Sequence, residues 1–291
     1  MMNTGDWGSI LILKHRIRTF VFIIVFMGLG SVFSPKSAWT QESRLIFMPD
    51  EPLYNSLIGD PREPQCAIIA QTSQSRYEGL IGKTIEFLQW APKDGPDWGW
   101  GIEGASFIEL DSLGGGVFPE RVSDWYLGMY FSESEGDLSN RLEYIHVSSH
   151  LGDELFDTVQ RFIYTRESFR FTSSYTPVDN LRLYAGVGYW GHMAPADKPF
   201  FIHCGTELYT DPFHFIAGTF GRGYFTCDLK FKDEAGGVVD QTYQFGLKWT
   251  WRKDSHQAVR MAVLYNNGNS EYGQFYRQQD NHWGLGIYFD P

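Results

Sequence analysis

The chain is poor in cysteine. Cys66, Cys204 and Cys227 are the three among 291 residues. An odd, sparse set in an exported chain does not describe a disulfide framework, and no Cys-x-x-Cys pair suggests a metal or redox site. Long apolar runs are also scarce. Beyond Phe33 no stretch reaches the about eighteen residues that a spanning helix needs, so helical spans are excluded there. There is no phosphate-loop motif, no Ser/Gly-rich linker and no low-complexity tract. Positive charge is in deficit: 24 Lys and Arg stand against 35 Asp and Glu, a formal net charge of −11. That balance argues against a nucleic-acid partner.

What is present begins with a leader. Lys14, His15, Arg16 and Arg18 form a basic head, and Phe20 to Phe33 an apolar run too short to span as a helix. Residues 1–40 therefore read as a secretory signal peptide, with Ser37-Ala38-Trp39 near the cut. Its loss removes Lys14, Arg16, Arg18 and Lys36 against one acid, Asp6, so the mature chain is more acidic still. Residues 41–65 are proline-rich and aperiodic, and read as an extended arm packed on or in the mouth of the domain that begins at Cys66.

From Cys66 onward the pattern has period two. In the stretch from Phe169 to Trp190, Phe169, Phe171, Ser173 and Tyr175 share one face, opposite Arg170, Thr172, Ser174 and Thr176. After the turn Pro177-Val178-Asp179-Asn180, Leu181, Leu183, Ala185, Val187 and Tyr189 oppose Arg182, Tyr184, Gly186 and Gly188. Such alternation over about ten residues is the signature of a strand long enough to cross a bilayer at a tilt. Twelve such runs are expected at 66–74, 83–90, 97–110, 122–131, 139–150, 166–176, 181–190, 200–209, 213–231, 239–251, 256–266 and 281–289. The count of twelve keeps 213–231 as one strand. Connections alternate long and short, the outer-membrane pattern, with the short turns toward the periplasm. The expected fold is all-β: a single antiparallel transmembrane β-barrel of about 12 strands, spanning 66–291. A soluble sandwich turns every 8–12 residues or so, too often for these runs. Aromatics make up 17% of the chain, which suits interfacial girdles, and the negative mean hydropathy suits a wall whose alternate residues face a polar lumen.

Four segments carry a family resemblance: Gly59-Asp60-Pro61-Arg62-Glu63-Pro64, Ser149-His150-Leu151-Gly152-Asp153-Glu154, Tyr175-Thr176-Pro177 leading into Leu181–Trp190, and Gly284-Leu285-Gly286-Ile287-Tyr288-Phe289. Together they resemble the uncharacterised bacterial envelope family called domain of unknown function 1207. The resemblance spans nearly the whole mature chain. It implies an exported envelope protein and brings no activity with it.

Two sets of residues bear chemistry. Glu103, Glu109, Arg170, Arg182, Glu207, Asp228, Lys230, Lys248 and Arg260 fall on the expected lumen face, and their mixed signs suggest salt-bridged filling or a narrow pore. The second set is His146-Val147-Ser148-Ser149-His150-Leu151-Gly152-Asp153-Glu154, where the fifth strand enters a long loop. Outer-membrane phospholipase A and lipid A deacylase carry a His-x-Ser pair on a strand near the outer leaflet, and His146-x-Ser148 resembles that pair. The His of such a pair takes the Ser proton, and a third group orients the His. Those families draw the third group, an Asn or a Glu, from the next strand. Here the alternation sets Glu167 on the other face and Arg170 near His146. Asp124, on the preceding strand, falls opposite His146 if the turn centres near 135. The expected trio is thus Ser148 as nucleophile, His146 as base and Asp124 as orienter, pointing into the lumen. His150, Asp153 and Glu154 form a second candidate, a metal site for a divalent cation such as Ca²⁺. No cofactor is otherwise required.

The resulting expectation is a bacterial outer-membrane barrel that is structural, pore-like or lipid-interacting. Its alternatives are an outer-leaflet lipid hydrolase and a soluble periplasmic β-protein. The expected partners are outer-membrane lipids, lipopolysaccharide and the barrel-assembly machinery.

Overall fold

A computed structural model describes residues 43–290, apart from 73, 156–158, 160–161, 196, 215–217 and 253–256. The signal peptide and its cleavage site lie outside the described residues. Fourteen strands are described: β1 Arg44–Phe47, β2 Cys66–Gln71, β3 Arg76–Ala91, β4 Asp97–Asp111, β5 Glu120–Glu135, β6 Leu138–Leu151, β7 Tyr164–Val178, β8 Leu181–Ala194, β9 Phe200–Tyr209, β10 Phe213–His214, β11 Phe220–Lys232, β12 Val239–Thr250, β13 Ala258–Asn267 and β14 His282–Asp290. Twelve of them form a closed antiparallel barrel: β2 to β9 in order, then β11 to β14, with β14 pairing back onto β2. Closure leaves the wall without a sheet edge. β1 lies beside the protruding end of β3, and β10 beside the start of β11.

Two expected boundaries change. β3 begins at Arg76 rather than near 83, so the connection after β2 is a tight turn. The run 213–231 is not one strand. Phe213 and His214 fold back onto Gly221 and Phe220. Gly218, with φ near +78°, supplies a left-handed residue for that reversal. The barrel count stays at twelve because the fold-back belongs to the short-turn end.

The alternation sorts the side chains as the period requires. On β12, Asp240, Thr242 and Gln244 are buried in the lumen, while Phe245 is 69% exposed on the outside. Every residue expected on the lumen face from Glu103 to Arg260 lies on the inward row of its strand. Inward glycines make room for their neighbours' rings. A Cβ at Gly101 would run into Tyr130, and one at Gly188 into Phe201.

The lumen is filled from both ends. From the short-turn end the arm enters as a plug. Glu63 forms a bidentate pair with Arg141 of β6, at 2.7 and 2.9 Å. Asp60 lies 2.7 Å from Lys230 of β11 and 3.1 Å from Arg170 of β7. Arg182 of β8 donates to the carbonyls of Asn55 and Ser56. From the other end the connection between β13 and β14 folds inward as a cap. Glu271 lies 3.3 Å from Lys230, and the Gln274 backbone donates to Ser149. Plug and cap meet where the Arg62 guanidinium stacks on the Tyr272 ring, 4.2 Å from its centre. Burying an ion costs several kcal/mol unless it is paired and bonded, so the many partners per charge are what make this filling tolerable.

Candidate active site

The hairpin β5–β6 fixes the first half of the site. Glu135 pairs with Leu138 around Gly136-Asp137, so Leu127 faces His146 and Asp124 faces Ser149. Gly136 adopts φ near +60°, the conformation a two-residue hairpin turn demands. The next hairpin sets His146 opposite Glu167, and Glu143 opposite Arg170.

These registers turn the faces round. Arg141, Glu143, Ile145, Val147 and Ser149 are the inward residues of β6, and Tyr144, His146, Ser148 and His150 point outward. At the outer end of β6 the usual barrel pattern is thus inverted, with apolar side chains inside and polar ones on the wall. The expected trio is not assembled. Asp124 is 1% exposed, faces the lumen and accepts from the Gly273 backbone at 3.1 Å. It also lies 3.4 Å from Arg62. Its carboxylate ties plug to cap and lies on the opposite face from His146. Arg170 is likewise engaged inside, with Glu143 at 2.6 Å.

Glu167 takes the place expected for Asp124. Its Oε1 lies 2.6 Å from His146 Nδ1, and its Oε2 accepts from the Tyr144 hydroxyl. The Tyr144 ring packs on Phe169, 5.3 Å between centres. His146 is 44% exposed, so this is a wall site open on one side. An Nδ1–H donated to Glu167 leaves Nε2 as the basic nitrogen. Ser148 follows two residues along the same face, its Cα about 7 Å away at strand rise. Trp125 of β5 stands directly beside Ser148. β8 carries one additional residue, Gly191, opposite the Glu167–Ser168 step, so a β-bulge adjoins Glu167. A base, a carboxylate that holds it and a hydroxyl thus share one outward face.

His150, Asp153 and Glu154 are exposed and are not gathered as ligands. Among the described residues, the grouping tight enough for a metal is Asp60, His203 and Asp228, all buried. It fits a metal badly. Burial would raise the Asp60 carboxyl, but Lys230 and Arg170 together hold it well below the usual carboxylate range. Asp228 accepts from the Tyr184 hydroxyl at 2.7 Å. Local cations already do what a metal would do. All three cysteines are free. The register sets Cys204 opposite Leu229, so Cys227 is its diagonal neighbour.

A family model described as "Protein of unknown function (DUF1207)" matches residues 38–290. The chain belongs to that family. No match to a curated protein was found. Two solved structures similar to this DUF1207 chain are barrels. One is the β domain of the Bordetella autotransporter BrkA, at 14% identity and a TM-score of 0.43, covering 77% of this chain and 95% of that one. The other is the NanC porin, at 11% identity and a TM-score of 0.40, covering 78% of this chain and all of that one.

Proposed function

We propose that the chain is an outer-membrane β-barrel with a closed lumen that hydrolyses lipid esters at its outer wall. The membrane reading rests on a closed wall whose outward residues include Leu127, Met129, Phe245, Leu285 and Ile287, around a charged interior. Exposed tryptophans flank that band, Trp125 and Trp283 toward the long connections and Trp90 and Trp251 toward the short turns. The hydrolase reading is carried by one observation: Glu167 bonded to His146 Nδ1 on the outer face, beside Ser148 and level with Trp125. Trp125 marks the interface, which is where the ester bonds of a membrane lipid lie.

In this reading Ser148 Oγ attacks the ester carbonyl. His146 Nε2 takes the hydroxyl proton and passes it to the departing alcohol oxygen. Water then repeats the sequence on the acyl-serine, releasing the fatty acid and restoring Ser148. Glu167 holds the ring and stabilises its cationic form. A pore is disfavoured, because plug and cap occupy the lumen.

The test is fatty-acid release from phospholipid and from lipid A by purified, refolded protein, with His146→Ala alongside. Faster gel migration without heating serves as the folding control. Wild type should release acid and His146→Ala should not, with both migrating as folded barrels. Equal release from both, or none from wild type with and without Ca²⁺, removes the hydrolase reading. Recovery of the native protein in the soluble periplasm removes the membrane reading.

A further inference from the structure

β11, β12 and β13 set three cations side by side. Arg222 pairs with Lys248, and Lys248 pairs with Arg260. All three line a cavity of about 880 Å³ at the short-turn end of the barrel. Side chains directly opposite on one face of a sheet have Cβ atoms about 5 Å apart, and like charges placed so repel. Deeper in the lumen the central arginines each meet two carboxylates. Arg141 meets Glu63 and Glu143, and Arg170 meets Asp60 and Glu143.

In the row of three a single carboxylate, Asp290, serves two cations: it accepts from both Nε and Nη2 of Arg260 and lies farther from Lys248. Asp290 lies 2.8 Å from Arg260 Nε and 3.8 Å from Lys248 Nζ. Glu207, on the neighbouring strand β9, is engaged by the Ile58 backbone, the Tyr209 hydroxyl and Arg182. Arg222 donates to the Thr210 carbonyl and the Asn180 side chain. Arg260 is 1% exposed, yet its Nη1 has no hydrogen-bond partner among the described residues. A buried guanidinium nitrogen left so is costly. The cavity is of the size that small-ligand sites use.

We infer that this vestibule binds an oxyanion, a phosphate or carboxylate group, seated between Lys248 and Arg260 Nη1 with Arg222 beside them. Its oxygens supply the acceptor that Nη1 lacks and cancel the repulsion along the row. The wall hydrolase takes no part, so the two proposals stand or fall separately. The same group arrives either on a free anion or on a lipid head group, and the test separates these.

The folded barrel in a non-ionic maltoside detergent is titrated by calorimetry with inorganic phosphate, with citrate, and with mixed micelles of phosphatidylglycerol. Lys248→Gln and Lys248→Arg are run beside wild type. Among the described residues the ion pair of Lys248 is one long contact to Asp290, so both variants should keep heat-modifiable migration. Loss of one charge-assisted hydrogen bond should weaken binding about tenfold or more in Lys248→Gln. Lys248→Arg should bind within a few-fold of wild type. Binding of phosphate or citrate that follows this pattern supports the site and assigns a free anion. Binding of phosphatidylglycerol alone in this pattern supports it and assigns a head group. If none of the three binds, or if Lys248→Gln binds as wild type does, the inference is overturned.

Discussion

Inside the barrel Arg141 and Arg170 are ringed by Glu63, Glu143 and Asp60, while outside, on the same two strands, His146 and Glu167 face each other beside Leu127, which is 68% exposed. The inner groups satisfy one another and leave little free. Their work is to hold a plug that an apolar lumen could not position. The outer pair is held at one end and open at the other: Glu167, itself held by Tyr144, bonds Nδ1 of the ring, and the His146 side chain is 44% exposed. A polar group fixed on one side and free on the other, in an apolar setting, is a group arranged to act on something else. The comparison thus separates polar residues that build the barrel from polar residues that use it.

The sharpest way to probe the contrast is to change each region and ask which property moves. Glu167→Gln keeps the shape and removes the charge that orients His146. Turnover should fall about 10²- to 10⁴-fold, the range of a lost acid–base device. Unfolding in urea should shift by no more than about 0.5 kcal/mol, as for a surface change. Arg141→Met does the reverse. It removes one of the two cations that Glu63 and Glu143 share, leaving both buried anions to Arg170 alone, and should cost about 3–5 kcal/mol of stability, read from the urea midpoint of the refolded barrel. Wall hydrolysis per folded molecule should not change.

Acid should loosen the contacts that hold plug and cap. Burial opposes ionisation of Glu271 in the cap, but Lys230 and Lys232 outweigh it and bring its carboxyl from 4.5 down to about 2. Asp60 in the plug is lowered in the same sense, by Lys230 and Arg170. A carboxylate depressed by folding stabilises above its unfolded value, and that stability drains away as pH falls through the folded one. The urea midpoint should therefore decline as pH falls from about 4.5 toward 2. A midpoint that rises on acidification would mean that these pairs do not hold plug and cap. The smallest effect is steric. Gly101→Ala pushes a methyl group into the Tyr130 ring and should cost about 1–3 kcal/mol by the same unfolding measurement.

Alternation made the barrel readable, because a strand with one face in a lumen must repeat every second residue. Register was not readable, and the site depends on register. Asp124 was set against His146 by centring a turn at 135, but the turn closes on Glu135 and Leu138 and sets Asp124 against Ser149. Glu167, on the row of Phe169, lies outside as the alternation predicts; it is His146 and Ser148 that the misplaced turn sets in the lumen, and the long connection after β6 imposes no register that would correct them. An odd slip flips every side chain across the wall. That is why a trio expected in the lumen is partly a plug anchor, Asp124, and partly a wall pair, His146 and Ser148. The signal that could have corrected it lay in β6 itself. Glu143 and Arg141 demand partners and must face inward, and they carry Ile145, Val147 and Ser149 with them. The break at Phe213 was hidden because the fold-back keeps the aromatic spacing of a continuous strand.

The central claim is that Ser148 is a nucleophile on the outer wall. An alkyl fluorophosphonate reacts with activated serines and leaves ordinary ones untouched. Purified barrel in detergent, labelled and mapped by mass spectrometry, should carry the adduct on Ser148, with labelling lost in Ser148→Ala and reduced in Glu167→Gln. An unlabelled wild-type barrel, or an adduct that persists in Ser148→Ala, would contradict it.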